Sequence, residues 1–457
     1  MIADSTQQPA RYPPGPRGRF PGDIMLRMRA DFLGFLGDAA RTYGDAVSFK
    51  LGTEQYVLLN HPDLIRDVLV THQRSFHKGR ALEQARRVLG NGLLTSEGEF
   101  HLRQRRMVQP AFHRERIAAY ASDMVGCAER TRERWRDGAA VDMRSEMMRL
   151  TLAVVGKTLF DADVEGEAED IGRALEDALG AFSVNMLPLG EWLERLPLPA
   201  MRRLRAARTT LDGTIYRLIA ERRASGEDRG DLLSMLVHAT DVEGDGTGMT
   251  DQQLRDEALT IFLAGHETTA NALAWTWLLL SQHPDVAARM HREVDALGHE
   301  PRLSDLPSLA YTRQVIAESM RLYPPAYAIG RRAVEPYSFG EYHVPARTIV
   351  LVSQFLQHRD PRWFPEPERF DPDRWTPEAV QGRPKFSYFP FGAGTRVCIG
   401  EPFAWTEAVL LLATLAQGWH ASLVPGHPIA LQPRITLRPK HGVQMTLHRR
   451  ASDPLSE

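Results

Sequence analysis

The chain of 457 residues has only two cysteines, Cys127 and Cys398. That is too few for a disulfide framework or a four-cysteine zinc site, and the scarcity points to a reducing, cytoplasmic setting. Nor is there an excess of one charge: 56 Lys and Arg stand against 58 Asp and Glu, a formal net of -2. No overall field therefore favours nucleic acid or an anionic membrane. The chain also lacks a run of about 20 apolar residues able to span a bilayer. Its opening stretch, Met1 to Gly22, carries Pro9, Pro13, Pro14, Pro16 and Pro21 and no basic-then-apolar leader, so neither secretion nor a membrane anchor is expected. No internal repeat and no second catalytic module is evident.

What is present begins after the Pro-rich lead. Ile24 to Tyr43 is spaced as a helix, and Ala46 to Leu51 and Glu54 to Asn60 are two apolar-rich runs separated at Gly52, a hairpin signature. From His61 to Gln282 the apolar spacing is mostly helical, as in Leu150, Val154, Val155 and Leu159. Thr250 and Gln253 fit a capping box, and no proline follows as far as Ser281. This predicts one helix of about 30 residues, apolar on all faces near Ile261 to Leu280 and so crossing the interior. After Tyr323 prolines multiply around a strand-like Thr348 to Val352, before a last helix at Gly400 to Gly418.

Two metal readings fail on the residues. Asp241, Glu243, Asp245 and Gly246 echo a calcium loop, but Gln252 stands where a bidentate Glu is needed, so a solvated acidic loop is expected. His266-Glu267 suggests a zinc-protease helix, but the second His would fall at Ala270.

The chemistry gathers at Phe391-Gly-Ala-Gly394-Thr-Arg396-Val-Cys398-Ile-Gly400, a glycine-punctuated loop delivering one cysteine just before an apolar helix. Glycines let backbone approach a flat macrocycle, and amides aimed at sulfur tune a thiolate ligand. A position beside a helix N-terminus and iron coordination both favour the thiolate. Cys127, among Met124, Ala128 and Thr131, reads as core.

This loop resembles the haem-binding signature of the cytochrome P-450 superfamily, Phe-x-x-Gly-x-Arg-x-Cys-x-Gly, at Phe391, Gly394, Arg396, Cys398 and Gly400. Further motifs carry the resemblance from about Pro13 to Arg449. Ala264-Gly-His-Glu267-Thr268-Thr is similar to the oxygen-binding motif, and Glu318-Ser-Met-Arg321 with Pro367-Glu-Arg369-Phe370 to the family's structural network. His101 and Arg105, four apart on one helix face, form a fork able to bind carboxylates. His101 stands where many relatives have Trp.

The resemblance implies a mainly α fold with a small β region, a single triangular-prism domain over residues 23–449, between the lead 1–22 and a tail 450–457. It implies haem b, ligated axially by Cys398 and contacted by Phe391, Gly400 and Ala264. The propionates would be held by His101, Arg105, Arg331 and Arg396. Thr268 is assigned proton delivery, its hydroxyl back-bonding into the helix, and Glu267 the acidic relay. Glu318, Arg321 and Arg369 are read as a buried network retaining haem. His358 matches a family landmark as a structural bond or a propionate contact.

The activity implied is insertion of one atom of dioxygen into a hydrophobic organic substrate, by hydroxylation or epoxidation. Phe76 to Leu94, Ala181 to Leu198, Ala264 and Pro325 to Ile329 would line the substrate site. Two alternatives are a peroxide-dependent enzyme, which would not need Glu267 and Thr268, and a non-catalytic haem sensor. With little chain after Cys398 and no third glycine after Gly392-x-Gly394, electrons are expected from a separate ferredoxin or flavodoxin and its reductase, fed by NADPH or NADH. Arg103 and Arg106, off the His101 face, are expected to form a basic docking patch.

Overall fold

The computed structural model describes residues 10–161, 173–174, 177, 198–241, 243–244 and 246–450. Residues 1–9 of the lead, 451–457 of the tail, Asp245 and most of the expected substrate stretch, 181–197, lie outside the described residues. The chain divides into two compact units, the first drawn from Met1–Glu83, Ala326–Arg369 and Gly382–Cys398, the second from the remainder.

The first unit is built on a five-stranded sheet. The expected hairpin is there: Ala46–Leu51 and Glu54–Leu59 pair antiparallel, Leu51 opposite Glu54, around Gly52 at φ 61°. Ile349–Val352 then runs parallel to Glu54–Leu59, followed by Ile329–Ala333 and the three-residue strand Phe76–Lys78. Alternate side chains of a strand point to opposite faces. Val57, Leu59, Val350 and Val352 meet Phe76, Phe386 and Phe389 on one face, and Leu58 and Leu351 meet Phe35, Leu36 and Phe49 on the other. Because both faces are covered, these strands read as unbroken apolar runs.

The helix expected over Ile24 to Tyr43 is two, Asp23–Ala30 and Phe32–Tyr43. Asp31 interrupts them with extended backbone, φ -151°, and its side chain accepts from the Gly34 N–H to cap the second helix. A short acid that bonds nearby backbone starts a helix more readily than it continues one.

The second unit is helical around Asp251–Gln282, and the expected capping box is formed in both directions between Thr250 and Gln253. Of the 32 residues of this long helix 24 are buried, so it is an internal element, as its all-round apolar pattern requires. Met143–Phe160, Pro199–Ser225, Ala310–Leu322 and Glu401–Gly418 pack against it. A three-stranded sheet, Ala140–Asp142, Gln444–Arg449 and Trp419–Leu423, completes the unit. Trp135 stands edge-on to both Trp277 and Trp419, at 6.0 Å from each, and its indole N–H donates to Glu146. Among the described residues no helix is long and apolar enough to cross a membrane.

Candidate functional site

In the first unit the cysteine loop is held by its own backbone. The Cys398 N–H donates to the Phe391 carbonyl at 2.9 Å, and the Val397 N–H to Gly394 at 3.1 Å. Gly394 is required twice over: its φ is 71°, and a Cβ there would stand 2.1 Å from the Leu69 carbonyl oxygen. Thr395 donates through N–H and hydroxyl to Gln73 Oε1, at 2.6 and 2.9 Å, locking the loop to residues 73–76. Cys398 is the exposed one of the two cysteines that form no disulfide. Cys127 is buried, as core packing requires.

Three further predicted residues belong to this unit. Arg331 is buried in the strand Ile329–Ala333, its Nη1 donating to the Gly330 carbonyl. Arg396 donates to the carbonyls of Gln73 and Phe76, at 3.3 and 3.0 Å. His358 is fully buried and its Nε2 accepts from the Phe389 N–H at 3.0 Å, which is a structural bond supporting the approach to the loop.

In the second unit the long helix changes character at one place. Ala264 is exposed and Gly265 and Thr268 are half-exposed, while Ile261 to Leu263 before them and Thr269 to Leu280 after them are buried. Gly265 lets the helix lie close to Met143–Phe160, since a Cβ there would be 3.1 Å from Val155 Cγ2. The Thr268 hydroxyl donates back to the Ala264 carbonyl at 2.7 Å. Glu267 is buried and accepts from the Thr436 hydroxyl at 2.8 Å, which in turn accepts from the Asn271 amide at 3.1 Å. On the helix Gly98–Val108, His101 is buried with Nδ1 3.1 Å from the Leu93 carbonyl and 3.4 Å from the Ser96 hydroxyl, and Arg105 is half-buried.

Glu318 and Arg321 have no solvent exposure and form the predicted pair, a two-pronged contact with both bonds at 2.8 Å. The Glu318 carboxylate also accepts from the Asp371 N–H at 3.0 Å and the Trp375 indole at 2.9 Å, with Arg374 Nε at 3.3 Å. The expectation that Arg369 is buried with them is corrected: its side chain is 62% exposed and pairs with Glu366. Arg374 and Trp375, five and six residues further on, were missed because nothing local distinguishes one arginine after a proline turn from another.

The docking-patch expectation for Arg103 and Arg106 is also corrected. Arg103 donates to the Thr247 and Gly248 carbonyls, at 3.1 and 3.2 Å, and Arg106 forks onto Asp241, with Nη2 to Oδ2 at 2.9 Å. Both guanidinium groups are spent on pinning the acidic loop. Asp241 is itself buried, and no group of three or more metal-ligating side chains occurs among the described residues.

Two titrating groups beside the site set a pH response. Burial pushes the Glu407 carboxyl, in the last helix, up to about 8, partly offset by the Thr269 hydroxyl. Burial, assisted by Arg144, holds the His266 imidazole down at about 3. An acid raised in the folded state stabilises fully below its unfolded value of 4.5 and loses that contribution as pH rises through 8. A depressed histidine does the reverse, stabilising above 6.5 and losing it as pH falls through 3. Urea midpoints of the parent should therefore decline between pH 6.5 and 8, where Glu407 alone of the two still acts. Glu407→Gln should flatten that decline, and an unchanged slope in the variant would exclude Glu407 as its source.

Taken unit by unit, the residues present fit a haem-thiolate group: the first carries an exposed loop cysteine as donor with Arg331 and Arg396, and the second an accessible small-residue patch on an otherwise buried helix with His101 and Arg105, basic side chains suited to carboxylates. The family model described as Cytochrome P450 matches residues 13–446. The chain is similar to cyclooctatin synthase of Streptomyces melanosporofaciens, 41% identical over 95% of this chain and 96% of the relative. It is similar also to cyclooctat-9-en-7-ol 5-monooxygenase of the same organism, 40% identical over 93% of each chain. Among solved structures it resembles retinoic-acid-bound cyanobacterial CYP120A1, with a TM-score of 0.86 and 26% identity, over 97% of this chain and 100% of that one.

Proposed function

The chain belongs to the cytochrome P450 family and is an oxygen-inserting oxidoreductase, and from that premise we propose that it is a haem b monooxygenase of an uncharged cyclic alkenol, with Cys398 as the iron ligand. The observation that carries the reading is the Cys398 loop: a thiol that is exposed, preceded by Gly394 in a conformation only glycine takes easily, and fixed through its own N–H. When bound, haem would supply the dioxygen activation, with Cys398 as the thiolate that would hold the iron and donate electron density to it.

The protein's own part is to orient, exclude water and hold protons. His101, Arg105, Arg331 and Arg396 are assigned to the propionates, and Ala264 and Phe391 to the macrocycle. Thr268 is assigned proton delivery at Oγ1; its hydrogen is committed to the Ala264 carbonyl, so outward donation requires that bond to open. Glu267 holds a proton or a charge against Thr436 and serves as the reserve. Glu318 and Arg321 brace the second unit without touching the chemistry.

The cyclic-alkenol assignment is supported by the relative named for cyclooctat-9-en-7-ol, an uncharged cyclic alkenol by its name. The family reaction requires an electron-donating protein; we assign a ferredoxin or flavodoxin, and a cytoplasmic site in which both thiols stay reduced.

The test is the fraction of reducing equivalents recovered as oxygenated product from a cyclic alkenol substrate. Thr268→Ala should retain haem and substrate binding while that fraction falls about tenfold or more, the remainder appearing as hydrogen peroxide. Unchanged coupling removes Thr268 from the mechanism, and full turnover by the parent with peroxide alone would favour the peroxide-dependent reading instead.

A further inference from the structure

Glu257, in the long helix, has no solvent exposure, and its two oxygens are shared between two segments far away in sequence. Oε1 accepts from the Gln104 side-chain amide at 2.8 Å, and Oε2 from the Leu93 N–H at 2.9 Å. Gln104 lies between His101 and Arg105 on the helix Gly98–Val108. The same peptide segment that gives its Leu93 N–H to Glu257 offers the Leu93 carbonyl to His101 Nδ1 at 3.1 Å. One carboxylate therefore holds both the helix that carries His101 and Arg105 and the backbone that the His101 ring rests on. Its neighbour Asp256 accepts from the Asn91 N–H at 2.7 Å, and a Cβ at Gly90 would fall 2.1 Å from the Asp256 carboxyl carbon. The loop is thus laid against the long helix with no room for a larger residue.

We propose that Glu257 is a positioning residue for the cofactor clamp, fixing the orientation and proton placement of His101 through the Leu93 segment and Gln104. The inference rests on the assignment of His101 and Arg105 to the haem propionates. A carbonyl oxygen only accepts, so the contact with Leu93 places a proton on His101 Nδ1. With Nδ1 protonated, Nε2 donates to a carboxylate only in the doubly protonated ring. Supporting residues of this kind set which form of a histidine meets its ligand, and their loss commonly weakens cofactor sites by about tenfold or more.

Two measurements on the holoenzyme test this: the rate of haem transfer to excess apomyoglobin, and the 15N shifts of the His101 ring in the diamagnetic ferrous carbonyl form. Glu257→Ala should release haem about tenfold faster and move the Nδ1 resonance away from that of a hydrogen-bonded donor. Glu257→Gln should stay within about twofold of the parent, because the Gln104 amide can turn to present its oxygen and both contacts survive. Should Glu257→Ala not fold, Glu257→Asp keeps the charge, withdraws the carboxylate by one methylene and should show the same faster release. Parent-like release with unmoved ring shifts in folded Glu257→Ala or Glu257→Asp overturns the inference, as does equal loss in Glu257→Gln and Glu257→Ala. His101→Phe separates the two readings. Release at the parent rate in that variant discards the propionate assignment, whereas faster release there with parent-like Glu257 variants discards the positioning role alone.

Discussion

Cys398→Ser should leave the protein folded and abolish its oxygenase activity. The side chain is exposed and the loop is held by backbone bonds from Cys398 to Phe391 and from Val397 to Gly394, none of which needs sulfur. An exposed substitution of this kind changes stability by no more than about 0.5 kcal/mol. Serine cannot supply a thiolate near neutral pH, whereas a cysteine thiol is poised to ionise on binding metal. The reduced parent protein under carbon monoxide should show the red-shifted band of thiolate ligation, and the variant should not. A thiolate-type band that persists in Cys398→Ser would remove Cys398 as the ligand and leave Cys127, the other cysteine of the chain, as its source.

Glu318→Ala should be far more damaging to the fold, although Glu318 touches no chemistry. It would remove the carboxylate that Arg321, with no solvent exposure, pairs with, and the acceptor for the Asp371 N–H and the Trp375 indole. Breaking a buried pair from one side costs about 3–5 kcal/mol. Against a total stability of about 5–15 kcal/mol, that loss should sharply lower the yield of folded protein. Arg321→Ala should also destabilise, with Glu318 keeping Arg374, Trp375 and the Asp371 N–H as partners. Arg321→Lys should not restore the parent, since a point charge cannot make the two-pronged contact. Urea unfolding measures these losses, and a Glu318→Ala protein within about 1 kcal/mol of the parent would show that the network is not structural.

The features legible in the sequence were those encoded within one stretch of chain. The long helix was marked by Thr250 and Gln253 at its start, by the absence of proline, and by apolar residues on every face, and it forms over Asp251–Gln282 as those signals require. Gly52 marked the hairpin, and the spacing of Phe391, Gly394, Arg396 and Cys398 marked the site, because turn geometry and helix periodicity are local properties. A signal for Glu257 was also present but unread. Arg255, Asp256 and Glu257 are consecutive charges at the start of a helix otherwise judged internal, and buried charges must find partners.

Which partners they find was decided only by the tertiary structure. Leu93 and Glu257 are 164 positions apart, and Arg106 and Asp241 are 135 apart. No periodicity relates such residues, so the arginines expected at a docking surface are instead tied to a loop. The three-residue strands Phe76–Lys78 and Ala140–Asp142 are likewise too short to carry a pattern and exist because a neighbouring strand supplies their bonds. Arg374 rather than Arg369 shares the Glu318 carboxylate because the backbone after Phe370 carries Asp371, Arg374 and Trp375 to it while Arg369 stays at the surface. Local sequence sets the backbone conformations that each stretch can adopt. The pairing of charges depends on where the folded chain brings distant stretches together, and burial then favours arrangements that bring opposite charges into contact.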